Sequence, residues 1–558
     1  MVVTIDEKGY FFPPPPSPEV VEWEGSPIGI KNIITRTKGR TSVHDKTLDK
    51  DPTKREQLLE RVRAYLKETG KPVCQQDVII HGVRVRAVSN SEHLCDFWPK
   101  NWFDPEQWSR ATGREAPQEP QIMVYALTGV PGEAEAAYYS RQLNTIVFFN
   151  TAYYGQLKSW VLGAAGRILA GEYGIHSIHG ACVAKDQKGI LYIAPTGTGK
   201  STSSYGFMDL PETRFHSDDW VYIRYTLRTR DGRRVAPYLV ESPEGPIRGY
   251  RVFRWLADHQ DRADISLEAL TLSDEKVRLK VGDLDWTAPL EAYAYISERI
   301  FYLRSNLVES FPRSMPALLA SKFENVPDVT PQFLEAHQET LESLARSLDR
   351  HISLPANELK HLLARLYAFD NARAMLDMLD LFPPERVFTN PLEPVRLDVV
   401  ILLRRDQKDS TVVRHLSLSQ FMTNLMLGET PTGTRETAYN AYRAVDDKLE
   451  RDFIEGVREE SEETGCSFHQ VYEDCRTCPP KPDTLEEEFD LFELLFKATR
   501  CYDLNTILTQ DPDLKDKQEA VARTIDLLAL IIRRLPQDLS LDLGNYRNFF
   551  RRQVYSRG

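Results

Sequence analysis

One segment constrains this chain more than any other: GILYIAPTGTGKSTSSYGFM, residues 189–208. An apolar run, Ile190 to Ile193, leads into a glycine-containing turn and then into a helix-compatible stretch from Lys200. A strand, a tight turn and a helix in that order make a phosphate cradle. Glycine lets backbone N–H groups converge, and the helix N-terminus adds partial positive charge. The predicted nucleotide-binding residues are Pro195, Thr196, Gly197, Thr198, Gly199, Lys200, Ser201 and Thr202. Lys200 would reach the β- and γ-phosphates, and the Ser201 hydroxyl would sit on Mg²⁺. Ala194 stands where the strict pattern has glycine, at a position that tolerates a small residue. The competing reading is a glycine turn with a surface lysine.

A nucleotide loop needs a carboxylate for its metal. RFHSDDWVYI supplies Asp218 and Asp219, 18 and 19 residues after Lys200, at the start of another apolar run. An acidic pair on a second strand is where Mg²⁺ on a nucleotide is anchored. Taken alone, adjacent aspartates are common in surface turns. His179 alternates with Ile178 in the strand-like SIHGACVA and by itself reads as a hydrogen-bonded core histidine.

The 558 residues, 41% hydrophobic and 27% charged, allow two or three domains with cores of their own. The expected class is α/β. The proline-rich residues 1–25 read as an extended arm, residues 26–165 as an α/β domain, and residues 166–445 as the domain holding the phosphate loop. A helical insertion is predicted over about 306–385, and residues 446–558 read as mostly helical. The net charge of −12 is spread over interspersed residues, so neither nucleic acid nor an anionic membrane is an expected partner. An anionic small-molecule substrate must be held by a local cluster.

No apolar run approaches the ~20 residues of a spanning helix, and the N-terminus lacks a signal-peptide layout. The expectation is a cytoplasmic protein. Seven cysteines, an odd count in a long chain, read as reduced thiols. CSFHQVYEDCRTC brings Cys466, His469, Cys475 and Cys478 within 13 residues. Thiolate and imidazole are zinc's preferred ligands, so Zn²⁺ is an alternative to ordinary reduced cysteines there.

The run SIHGACVAKDQKGILYIAPTGTGKSTSS followed by HSDDWVYI resembles the nucleotide domain of phosphoenolpyruvate carboxykinases, a layout that HPr kinases share. Further segments are similar to the ATP-dependent carboxykinases. KGRTSVHDK (38–46) resembles their substrate loop Gly-Arg-Ser-Pro-Lys-Asp-Lys, which implies that Arg40 grips a substrate carboxylate. VRVRAVSNSEHLCDFWPKNWF (83–103) places Arg84 and Arg86 near a family arginine, and YYGQLKSW (153–160) is similar to Tyr-Gly-Gly-Glu-Met-Lys-Lys-Gly, with Tyr153 at the tyrosine. SERIFYL (297–303) resembles Asn-Thr-Arg-Val, whose arginine would be Arg299. DVVILLRRDQKDSTVVRHLSLSQFMTNLMLG and TGTRETAYNAY follow in family order.

The resemblance implies a two-domain fold with a P-loop-containing nucleotide domain. It implies conversion of oxaloacetate and ATP to phosphoenolpyruvate, CO₂ and ADP, with one divalent ion on the nucleotide and a second, Mn²⁺, at the substrate. Lys200 and Arg299 would stabilise the transferring phosphoryl group, and Arg40, Arg84, Arg86 and Tyr153 would bind substrate. His179 and Asp219 would hold the substrate's metal, with Asp218 nearer the nucleotide's ion. The substrate side departs from the pattern. Ser159 stands at the metal lysine and leaves Lys158 one residue early, so either Lys158 takes over that catalytic role or the metal site differs; Ser-Val-His replaces Pro-Lys in the substrate loop, and Trp220 follows the acidic pair. Two other readings stay open: a kinase of the same fold acting on another small molecule or a protein hydroxyl, and a nucleotide-binding regulator without turnover.

Overall fold

The structure is a computed structural model. It describes residues 51–151, 154–194, 198–304, 322–324, 329–348, 355–368, 373–428, 438, 447–475, 483–515, 517–533 and 539–549, and, within the first 50, only 4–5, 11–12, 33–35 and 44–47. The chain is mixed α/β, built on several sheets.

A six-stranded sheet comes first, in the order His44–Thr47, Ala136–Ser140, Thr145–Phe149, Ile122–Leu127, Val83–Ser89, Cys74–Ile80. Its helix Pro52–Glu68 (α1) starts where Asp51 caps the Lys54 N–H and Pro52 takes the first turn. This helix buries Leu58, Leu59, Val62 and Leu66 against Val88, Met123 and Val147. The edge hairpin pairs Cys74–Ile80 (β1) with Val83–Ser89 (β2). His81 and Gly82 form its two-residue turn with φ of 46° and 84°, the left-handed geometry that such a turn requires. Helix Glu92–Asn101 (α2) covers the opposite face through Leu94 and Trp98. Cys95 of α2 forms a disulfide with Cys74, at a Cα separation of 6.4 Å. This corrects the reading of all cysteines as reduced thiols. The two lie 21 residues apart in the sequence, and only the packing of α2 on the hairpin brings them together.

Helix Tyr154–Tyr173 (α3) joins this sheet to the next. Its Leu157, Val161 and Leu169 share one core with Phe148 of the first sheet and with Trp220, Tyr222 and Tyr295 of the second. The second sheet has 13 strands. Its centre is Ile175–Lys185 (β3), hairpinned to Lys188–Ile193 (β4). After helix Lys200–Phe207 (α4), the strands Thr213–Ser217 (β5) and Trp220–Arg228 (β6) pair in succession along β3. Glu291–Ile296 (β7) pairs with β6. Val395–Arg404 (β8) runs parallel to β4, and Arg500–Asn505 (β9) parallel to β8. The carboxyl ends of three parallel strands therefore lie together, where open α/β sheets bind ligands.

The sheet is covered on both faces. Helices Leu418–Leu427, Phe468–Cys475 and Asp483–Ala498 pack on Val221 and Ile223, and helix Lys517–Ile532 packs with Phe207 of α4 on Ile190 and Ile401.

Two regions differ from the sequence reading. The predicted helical insertion holds helices Pro331–Ala336, Gln338–Leu348 and Ala356–Ala368, but its continuation Arg373–Asp377 is a strand. That strand pairs with Ile300–Arg304 and Ile33–Thr35 in a four-stranded sheet. The C-terminal stretch, read as mostly helical, supplies β9 to the large sheet. Short apolar runs carry no period that separates helix from strand, and sheet pairing decides both cases. Among the described residues, no helix is long and apolar enough to cross a membrane.

Candidate functional site

The apolar strand β4 ends at Ile193, and α4 begins at Lys200 with Gly199 as its N-cap. Gly199 has φ 115°, a conformation that side chains rarely adopt. Thr198 is buried, and its carbonyl accepts a hydrogen bond from Thr506 Oγ1 at 3.4 Å. Thr506 follows β9, so the C-terminal region abuts the backbone just before α4. The Arg405 Nε donates to the same Thr506 hydroxyl at 3.3 Å. Pro195, Thr196, Gly197 and the Ser201 side chain lie outside the described residues; Thr202 is half-buried on α4.

The acidic pair sits at an interruption between two strands. Ser217 ends β5 opposite Cys182, and Trp220 begins β6 opposite His179, which leaves Asp218 and Asp219 across from Ala181 and Gly180. Asp219 has φ 76°, a left-handed conformation that aspartate tolerates better than most residues. Its carbonyl accepts the Gly180 N–H at 3.0 Å. The Trp220 ring stacks on His179, with centroids 4.8 Å apart. The His179 N–H donates to the Ala438 carbonyl at 2.6 Å.

Around Asp219 the side chains form a continuous chain. His179 Nε2 is 2.6 Å from Lys200 Nζ and 3.2 Å from Asp219 Oδ1. Lys158 of α3 donates to Asp219 Oδ2 and, at 3.1 Å, to Glu298 Oε2. Asn101, at the end of α2, donates to Glu298 Oε1 at 3.1 Å. Glu298 and Asn101 were not predicted as site residues. The Glu298 side chain is fully buried, a position carboxylates take only with partners.

Burial and charge oppose each other here. Burial pushes the Glu298 carboxyl up to about 7; Lys158 pulls it back, and the Asp219 charge adds to the rise. Burial works against ionised Asp219 too, but Lys158, His179 and Lys200 outweigh it and hold that carboxyl well below the usual carboxylate range. Burial would lower the Lys158 pKa, and the two carboxylates raise it instead.

The other predicted residues lie elsewhere. Arg84 and Arg86 both bind Asp77 across the β1–β2 hairpin, and Arg84 also donates to the Pro117 carbonyl at 2.7 Å. The hairpin uses them as structural ion pairs. Arg299 donates from its backbone to the Asn101 carbonyl at 2.9 Å and from Nη1 to Gln107 at 2.7 Å, and lies 5.1 Å over the Phe103 ring. Its guanidinium is thus seated on residues 103–107 beside the first sheet. Asp218 is buried. Arg40 and Tyr153 lie outside the described residues.

For zinc, Cys466 and Cys475 lie at opposite ends of helix Phe468–Cys475, His469 faces Glu493 at 3.3 Å, and Cys478 lies outside the described residues. Among the described residues, no three of His, Cys, Asp and Glu are grouped to hold a metal ion. The donors that the resemblance assigns to Mn²⁺ have the right chemistry, imidazole and carboxylate, but each meets an ammonium group: Lys200 at His179 and Lys158 at Asp219. In this arrangement the pair does not fit a second divalent ion.

No protein-family model matches the chain, and no curated protein matches it. The site itself therefore carries the functional reading.

Proposed function

We propose that the chain is an ATP-dependent phosphoryl-transfer enzyme with a nucleotide domain of the carboxykinase type. The observation that carries this reading is the convergence of Lys200, His179 and Asp219 in one contact chain at the mouth of the strand–loop–helix turn. A phosphate loop places N–H groups and one lysine on the β- and γ-phosphates. Asp218 beside it would anchor the nucleotide's Mg²⁺, which holds the γ-phosphate for in-line transfer. A regulator that only bound nucleotide would have no need of the buried Lys158–Glu298 pair against Asp219.

The specific reaction proposed is formation of phosphoenolpyruvate, CO₂ and ADP from oxaloacetate and ATP. It is tested by a coupled assay with Mg²⁺ and Mn²⁺, with Asp219→Asn as control. Product that depends on Asp219 supports the carboxykinase reading. ATP binding without product, even at high oxaloacetate, refutes it.

One observation favours a second reading, a kinase of the same fold with a hydroxyl acceptor. Lys158 is engaged by two carboxylates and does not stand as a metal-ligating amine. The two readings separate on whether ADP release requires oxaloacetate or an alcohol.

A further inference from the structure

The contact chain places a cation where the resemblance places a metal. Lys158 Nζ lies against Asp219 Oδ2 and within 3.1 Å of both Glu298 oxygens. The lysine side chain is 5% exposed and that of Glu298 is 0% exposed. The Asn101 amide occupies one Glu298 oxygen at 3.1 Å, and Asn101 is itself fully buried. Three residues from three separate segments thus fix one ammonium group. Two positions here depart from the resembling pattern together: Ser159 stands at the metal lysine and leaves Lys158 as the first of the pair, and Glu298 stands where Asn-Thr-Arg-Val has threonine.

Both Asp219 oxygens already have a partner, Oδ1 facing His179 and Oδ2 holding Lys158. A divalent ion at this carboxylate would lie beside a buried ammonium. Like charges at such range repel strongly in a dry interior. Lys158 cannot swing away cheaply, since Glu298 would be left as a buried carboxyl that has lost its cation and keeps the Asn101 amide.

Resting on the nucleotide site proposed above, we infer that Lys158, fixed by Glu298 and Asn101, is a built-in cation at Asp219, so that the chain takes one divalent ion with its nucleotide and none at the acceptor side. Lys158 then neutralises Asp219 in place of an acceptor-side metal. Glu298 and Asn101 are positioning residues.

Mn²⁺ binding, followed by its EPR signal in the presence of a non-hydrolysable ATP analogue, tests this without turnover. The wild-type chain should bind one Mn²⁺, and Asp219→Asn should leave the acceptor side without one. The double variant Lys158→Met/Glu298→Gln removes the built-in cation and its counter-group. It should gain a second ion that binds about 10–100-fold more tightly than any second ion in the wild type. Two Mn²⁺ per wild-type chain, one of them lost in Asp219→Asn, would overturn the inference and leave the nucleotide site standing. Failure to bind the ATP analogue at all would overturn the phosphoryl-transfer reading and this inference with it. If the double variant does not fold, the comparison of wild type with Asp219→Asn decides the question.

Discussion

Gly180, between His179 and Ala181 on β3, offers a direct test of how the site is braced. A Cβ built on it lies 2.8 Å from the Tyr192 carbonyl oxygen and 3.1 Å from Leu191 Cδ1. The first contact is with backbone, in a pair whose register is fixed from Gly180 opposite Ile193 to Lys185 opposite Lys188. No flexible side-chain tip can yield, so β4 must shift. Overpacking of this kind costs about 1–3 kcal/mol. Because β4 feeds the phosphate loop, Gly180→Ala should also weaken ATP-analogue binding. Gly171 makes the control. It lies exposed in α3 with nothing within 4 Å of an added Cβ, and Gly171→Ala should stabilise by about 0.4–1 kcal/mol. Urea unfolding of the three proteins, with isothermal titration of the analogue, gives both readouts. Equal midpoints for wild type and Gly180→Ala would refute the argument that this strand pair is rigid.

Lys200→Ala should lower turnover of ATP by about 10²–10³-fold, the range for losing one transition-state donor, with the urea midpoint little changed; normal turnover would end the phosphate-loop reading. The Glu298 carboxyl is raised when folded, so its contribution to stability is present below its ordinary value of 4.5 and lost as pH rises through about 7. Unfolding of wild type and Glu298→Gln from pH 5 to 8 should therefore show wild type losing ground by up to about 3 kcal/mol as pH rises. Asp219 acts in the opposite sense: its folded value is depressed, so its contribution holds above 3.8 and is lost as pH falls through that depressed value. The Cys74–Cys95 disulfide should appear as a linked peptide pair in a non-reducing digest. Reducing it should cost ~3 kcal/mol by the loop-closure account for its 21-residue separation.

The strand before 194 and the helix starting at Lys200 were legible because their signal is local. An apolar run, a glycine turn and a lysine at the head of a helix are set by backbone rules that operate within 20 residues or so. His179 and Asp219 were also legible, since β3 and the β5–β6 interruption flank the loop in sequence as well as in space. Glu298 was not. Nothing near it in the sequence distinguishes a buried acid from a surface one. Its partners Asn101 and Lys158 come from helices that the first sheet positions, 197 and 140 residues away. The one available signal was a pair of departures from the resembling pattern: Ser159 stands at the metal lysine, and Glu298 stands at a threonine. Arg84 and Arg86 were misleading for the complementary reason. Both stand on one strand at a spacing of two, which places them on one face of the hairpin, and Asp77 on the partner strand takes both.

The position of Asp219 explains why so many partners gather there. A strand that continued from β5 into β6 without interruption would turn alternate side chains to opposite faces, and Asp218 and Asp219 could not serve the same end of the sheet. The left-handed residue at 219 breaks that alternation while the Gly180 N–H still finds the Asp219 carbonyl, so the ladder survives the turn. A left-handed aspartate costs of order 1–3 kcal/mol, and such a cost persists only where the surroundings over-determine it. Here they do: Lys158 holds one oxygen, His179 faces the other, and Trp220 stacks on the histidine. Asp219→Gly would relieve the backbone cost and discard the carboxylate. If the conformation exists to aim that carboxylate, the Lys158→Met/Asp219→Gly chain should equal or exceed Lys158→Met alone in urea midpoint, while ATP turnover is lost. A Lys158→Met/Asp219→Gly chain that is both less stable than Lys158→Met alone and still active would mean that the left-handed turn serves the strand and not the site.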